Sequence, residues 1–432
     1  MKNTVISLIL FCIILLSIIM YLPEAQSGSD IQSTEIYNDT IVEMFQQIDD
    51  HLVHYYHNNL MNFGPRYTGS INCSLAGDYI YSEFKKMGLD VKFHEWEYDG
   101  YLSRNVVATK NGVEVNSNAI FIMSAHYDCT PGSLGADDDA SGVAAVLAAA
   151  KIMSEYSFNH TIRFIAFSGE EVGTYGSFCY ARDAYKNGDN IVGVINIDMI
   201  GYADTKDGGK IIRFHSPERS MWISEYSITI GEKYMDLIDL MVETRPNYIG
   251  ADHQAFIDYG YDGVWIAHHD GYPWANSPED TPDHINWTYL VKASKLLLAI
   301  VAEFAIKPID VQIVLKTPLE GQGYFFNRPI TSLACGKGWF WGIRGITIIF
   351  GRAIASADVL GNENIEYVVF CLNGNFLYFD STPPYEWKLQ GKHSPILGKY
   401  NLKVYAYTST KKFVTDEMDI IIYSLSCQYG LW

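Results

Sequence analysis

The chain has 432 residues, 48% of them hydrophobic, with 31 Lys and Arg against 50 Asp and Glu, a formal net charge of -19 at pH 7. That length exceeds the usual single-domain range, so two domains and at least one large core are expected. So acidic a chain repels a phosphate backbone, which excludes nucleic acid as a partner; the plain reading of the acidity is a soluble surface.

At the start of the chain Lys2 precedes an apolar run from Val5 to Leu22, closed by Pro23 and small or polar residues, with Ala25-Gln26-Ser27 as a cleavage site. The run is longer than the ~7 to 15 residues of a signal core and reaches the ~18 of a spanning helix. Residues 1–27 are therefore expected to be a signal peptide or a retained membrane anchor, and the protein to be secreted or otherwise extracytoplasmic. Phe11 precedes Cys12 where a lipoprotein signal needs a small residue, which argues against lipidation. Cys73, Cys129, Cys179, Cys335, Cys371 and Cys427 fit no CxxC metal pattern, and no pairing follows from their spacing. Asn38, Asn72, Asn159 and Asn286 each open an Asn-x-Ser/Thr triplet, which is compatible with export.

Over residues 33–306 β-branched apolar runs alternate with helical patterns, the signature of an α/β domain with a mostly parallel mixed sheet covered by helices on both faces. Strands are expected at Ala119 to Met123, Thr161 to Phe167 and Ile191 to Ile197. Helices are expected at Gly142 to Tyr156 and Trp287 to Ile306. After Lys307-Pro308 the texture becomes short alternating segments, Glu366 to Phe370, Phe376 to Phe379, Leu402 to Tyr407 and Met418 to Tyr423, separated by Gly, Pro, Asn and Asp. Residues 308–426 therefore read as antiparallel strands of an all-β sandwich. The stretch Asp380 to Trp387, with Tyr400 to Tyr407, resembles the immunoglobulin-like modules appended to secreted bacterial enzymes.

The chemistry lies in four short segments of the first region. His126-Tyr127-Asp128 follows the strand ending at Met123, and residues two apart on an extended backbone project to one side. Gly135-Ala136-Asp137-Asp138-Asp139-Ala140-Ser141-Gly142 places three carboxylates before a helix, where some serve only as caps. Glu170-Glu171 follows the strand Thr161 to Phe167, and Asp198 ends the strand Ile191 to Ile197. Sites in open α/β sheets lie beyond the carboxyl ends of the strands, so these segments converge. Imidazole and carboxylates together suit zinc. Two such ions about 3.5 to 4 Å apart can polarise a peptide carbonyl and supply hydroxide at neutral pH. An unligated carboxylate must still move the proton, and adjacent glutamates fit that division of labour.

Together with Gly64 to Ser70, these segments resemble, in order over about 250 residues, the co-catalytic zinc exopeptidases, the family of bacterial leucyl aminopeptidases, aminopeptidase Y and glutamate carboxypeptidase. The resemblance implies a peptide-cleaving enzyme in which His126 and Asp198 bind one zinc, Asp137 bridges to a second, and Glu171 binds that second ion. It further implies that Asp128 orients His126 and that Glu170 is the general acid/base. Asp137 is preferred to Asp138 for its place after Gly135-Ala136.

One segment departs from the family. A last histidine ligand is expected before a Thr/Ser-Pro-Glu-Asp-Thr segment, but the sequence reads Trp274-Ala275-Asn276-Ser277-Pro278-Glu279-Asp280-Thr281. Asn276 is then the ligand by position, and one tightly held Zn2+ with a second, weaker one is the expectation. His268, His269 and His284 are nearby substitutes, although each reads more simply as an ordinary histidine. Asp252-His253 with Phe256 resembles a supporting segment of the same family, and Gly64 to Ser70 is turn-rich and reads as structural. A phosphate-binding loop and a Gly-x-Ser-x-Gly elbow are both absent. The leading function is thus an aminopeptidase acting on peptides. A glutaminyl-cyclase-like acyltransferase on the same fold and a catalytically silent binding protein are the rivals.

Overall fold

A computed structural model describes residues 37–115, 117–308, 311–332, 346–361, 364–410 and 412–427. The apolar run, the cleavage site and Cys335 lie outside them. In chain order the first region runs through helices α1 (Asp39–Gln46), α2 (Asp50–Met61) and α3 (Ile71–Lys86), strands β1 (Asp90–Tyr98), β2 (Tyr101–Lys110) and β3 (Ala119–His126), and α4 (Ala140–Met153). It continues through β4 (Thr161–Phe167), α5 (Tyr175–Asn187), β5 (Asn190–Ile197), β6 (Ile211–Ser216), α6 (Met221–Lys233) and α7 (Met235–Ile238). It closes with β7 (Met241–Pro246), α8 (His253–Ile257), β8 (Gly263–His268) and α9 (Trp287–Ile306).

These strands form one eight-stranded sheet in the order β1-β2-β4-β3-β5-β8-β6-β7. Its centre, β4-β3-β5-β8, is parallel throughout, while β1, β2 and β6 join it antiparallel. All of β3 is buried, as a parallel strand covered on both faces must be. Its alternation splits the layers. Ile120 and Ile122 belong to a cluster with Phe178 of α5 and Phe256 of α8, whereas Phe121 stacks on Phe304 of α9 at 5.6 Å. Helix α4 is buried all round except at Lys151, which suits its run of alanines. Strand β4 and helix α9 match their expected limits, and β3 runs on to His126, so that this imidazole is part of the strand.

The second region contains β9 (Val311–Thr317), β10 (Gln322–Phe325), β11 (Arg328–Ser332), β12 (Thr347–Phe350), β13 (Ile354–Gly361), β14 (Ile365–Leu372), β15 (Asn375–Asp380), β16 (Tyr385–Lys388), β17 (Ile396–Thr408) and β18 (Phe413–Ser424). A seven-stranded sheet, β11-β10-β12-β18-β17-β14-β15, packs on a three-stranded one, β16-β13-β9. Their shared core holds Val368, Phe370, Val404 and Ile420 from the larger sheet and Ile313, Ala355 and Trp387 from the smaller. Most pairs are antiparallel as expected, but β12 pairs parallel with both β10 and β18. No periodicity distinguishes the parallel pairings of a strand of four residues.

The two regions meet at a half-buried ion cluster. Arg219 donates to Asp262 at 2.7 Å, to the Gly260 carbonyl at 2.9 Å and to Glu320 at 2.6 Å, and lies 3.7 Å from Asp416. Burial opposes the charge on Arg219, yet Asp262, Asp416 and Glu320 hold its pKa well above the ordinary value. Removing Arg219 leaves three crowded, partly desolvated carboxylates without their cation. Arg219→Ala is therefore expected to cost about 3 kcal/mol in a urea unfolding experiment. A midpoint equal to that of the unmodified chain would show that the cluster does not hold the regions together.

Candidate metal centre

Because β3, β4, β5 and β8 run parallel, their carboxyl ends share one edge of the sheet. That edge receives His126 from β3, Glu170 and Glu171 from the loop after β4, Asp198 after β5, and His268 from β8. The convergence expected from the four segments is present.

His126 is 1% exposed, and its Nε2 lies 3.2 Å from Asp138 Oδ1 and 3.6 Å from Asp198 Oδ1. Neither approach has hydrogen-bond geometry, so this buried nitrogen has no partner. A bare imidazole nitrogen facing two carboxylates is a donor set for a cation. His126, Asp139 and Asp198 can also each bring one ligand atom within 4.8 Å of the others. The Asp139 oxygens are already used, whereas Asp138 Oδ1 faces the imidazole. Oδ1 accepts from Gly142 N at 2.9 Å and Met199 N at 3.1 Å, and Oδ2 accepts from His126 N at 3.2 Å. Asp139 is the cap of α4 and the brace of the site.

Asp137, the aspartate preferred from the sequence as the bridging ligand, faces other groups. Its Oδ1 accepts from Gly201 N at 2.6 Å and its Oδ2 is 3.0 Å from His268 Nε2, so its carboxylate is directed to β5 and β8 and not to His126. A side chain on Gly201 would meet Asp137 Oδ1 at 2.8 Å, so glycine is needed for this close approach. Three consecutive aspartates at one turn give no periodicity from which to choose among them.

The turn is clamped from outside. Asp280 accepts from Asp137 N at 2.9 Å, Asp138 N at 3.1 Å and the Tyr272 hydroxyl at 2.7 Å. Arg66, fully buried, donates to the carbonyls of Tyr127, Leu134 and Gly135. His57 Nε2 lies 2.8 Å from the Ala136 carbonyl. The Gly64 to Ser70 stretch thus carries a structural role, as expected, but one that serves the site.

Asp128 supports more than the imidazole. The His126 Nδ1 is 3.1 Å from the Asp128 backbone carbonyl and 3.6 Å from its carboxylate. The carboxylate instead accepts from Thr68 Oγ1 at 2.6 Å and from the backbone N–H groups of Glu170 and Glu171, both at 3.3 Å. It therefore fixes the glutamate pair as a unit. Burial would raise the Asp128 pKa, but His126, Thr68 and the Glu170 N–H together lower it.

Elsewhere in the cluster negative charge is crowded. Burial, with the charges of Asp198, Asp252 and Glu171, pushes Glu170 well above the carboxylate range, and burial with Asp138 pushes Glu171 up to about 9. Burial likewise raises Asp252, whose carboxylate accepts from Ser177, to about 7. Such mutual repulsion is what a bound cation relieves. A divalent metal fits these residues.

Asn276 adopts a left-handed φ of 58° and reaches Glu171. With its amide nitrogen toward the carboxylate it donates to Oε2 at 2.8 Å and to Oε1 at 2.9 Å. Of the three nearby histidines, His268 Nε2 lies 3.0 Å from Asp137 in hydrogen-bond contact, His269 Nδ1 lies 3.4 Å from Glu243 without a hydrogen bond, and His284 stacks on Trp274 at 3.6 Å. Two of the glycosylation triplets are committed. The Asn159 and Asn286 amides donate to the Ile306 and Ala203 carbonyls, and Asn286 caps α9.

A helix-covered mixed sheet presenting imidazole and carboxylates at its parallel edge defines the class of the zinc exopeptidase fold. Residues 105–301 match the family model described as Peptidase family M28. Aminopeptidase YwaD of Bacillus subtilis is 30% identical over 220 residues, 46% of this chain and 44% of the relative. The chain thus matches less than half the length of that relative. Among solved structures, the Legionella pneumophila LapA aminopeptidase superimposes with a TM-score of 0.57 at 20% identity, over 63% of this chain and 76% of that one. A zinc aminopeptidase from Bacillus subtilis gives 0.54 at 18% identity, over 60% and 96%. At those identities the likeness is one of fold.

Proposed function

We propose that the protein is a zinc-dependent exopeptidase, an aminopeptidase that removes residues from the free amino ends of peptides. The observation that carries this reading is the unpartnered His126 Nε2 facing Asp138 and Asp198, beside the Glu170-Glu171 pair. The M28 match and the names of its relatives support it. His126, Asp138 and Asp198 would hold the ion. Zinc, when bound, supplies a Lewis acid and a water acidic enough to ionise near neutrality.

Glu170 is then the general base: it accepts the water proton and returns it to the departing amine. Asp128 is a positioning residue that acts through the backbone of the glutamate pair and the His126 ring. Tyr202, Tyr272 and Trp274, whose rings lie 5.1 to 5.9 Å apart, offer an aromatic wall beside the Asp137 turn.

Free-amine amino-acid anilides are expected to be cleaved and their amino-acetylated counterparts left intact, which a paired chromogenic assay measures. Efficient cleavage of the blocked substrates would point to an endopeptidase or carboxypeptidase. The acyltransferase reading is less favoured because the named relatives are peptidases. Retention of Glu170 speaks against a silent binder. We further propose that residues 33–306 form the peptidase domain and 308–426 an appended immunoglobulin-like module of unassigned partner. The apolar run from Val5 to Leu22 supports export, by cleaved signal or anchor.

A further inference from the structure

We propose that the centre holds a single zinc ion, at His126, Asp138 and Asp198, and that Asn276 closes the position of a second by clasping Glu171. The inference rests on the metallopeptidase reading above and concerns how many ions it uses. With its amide nitrogen turned toward Glu171, Asn276 would donate to the carboxylate, 2.8 and 2.9 Å from its two oxygens. The opposite amide orientation would set its oxygen against two carboxylate oxygens at those same distances, which is repulsive without a cation between them.

The remaining donors near Glu171 do not make a site. Zinc binding by protein ordinarily needs three or four ligands, imidazole and thiolate being the strong ones. His268 is hydrogen-bonded to Asp137 and His284 stacks on Trp274, while His269 points its Nδ1 at Glu243, 3.4 Å away. Asp138 faces His126, and Asp139 is bound to three backbone N–H groups. A second ion would therefore have to break the clasp, share Asp138 and do without an imidazole. An amide N–H directed between the two Glu171 oxygens places a partial positive charge where such an ion would sit.

Full-length protein, saturated with zinc and desalted, is expected to retain one zinc per chain by elemental analysis, and titration calorimetry should show one tight event. Asn276→His should retain two, its second dissociation constant being tighter than that of the unmodified chain by about tenfold or more. Glu171→Gln should still retain one zinc, which keeps the proposal testable should the histidine variant fail to fold. Two tight ions in the unmodified chain, or loss of its one ion in Glu171→Gln, would overturn the clasp. Absence of any tight zinc would sink the metallopeptidase reading itself, a result distinct from a count of two.

Discussion

Replacing Glu170 with Gln is expected to lower anilide hydrolysis by on the order of 10²-fold or more while the zinc content stays unchanged. The amide matches the carboxyl in size, and the backbone contacts of Glu170 and Glu171 with Asp128 do not involve the side chain being changed. What is lost is the proton acceptor. Rate and metal are measured on the same preparation, because a fall in both would make Glu170 a ligand. Near-normal turnover with full zinc would remove it from the mechanism.

The Asp137 turn yields a second large effect. Asp138→Asn exchanges a charged donor facing His126 Nε2 for a neutral amide, and zinc affinity is expected to fall by on the order of 10²-fold or more. Loss even of groups that only support a ligand costs about 10- to 100-fold. Asp137→Asn should behave differently. An amide at that position can still accept from Gly201 N and donate to a neutral His268, the two contacts seen for the carboxylate. Calorimetry of the two variants decides between neighbours. Tight zinc in Asp138→Asn together with its loss in Asp137→Asn would restore the bridging role to Asp137.

How far the sequence reaches is clear from these residues. Apolar runs marked β3, β4 and β5 because buried parallel strands need them, and the charged residues just past their ends marked one edge of the sheet. Thus His126, Glu170, Glu171 and Asp198 were legible as neighbours. Asp137 and Asp138 were not separable, since the choice depends on which carboxylate Gly201 N and His268 capture from distant strands. Arg66, Thr68, Asp280 and His57 were overlooked as supports for the site for a related reason. They act through contacts 60 to 143 residues away in sequence, and only the Gly64 to Ser70 and Pro278 to Thr281 segments hinted at them. In the second region alternation revealed the strands but not that β12 pairs parallel on both sides.

Hydrolysis is expected to depend on zinc held at this edge of the sheet, and that dependence underlies the predictions made for the residues of the centre. It is tested most directly by assaying the full chain on a panel of free-amine anilides before chelation, after chelation with metal loss verified, and after zinc is returned. Activity should disappear with the zinc and reappear when one ion per chain is restored. Hydrolysis that persists in verified zinc-free protein would contradict the account.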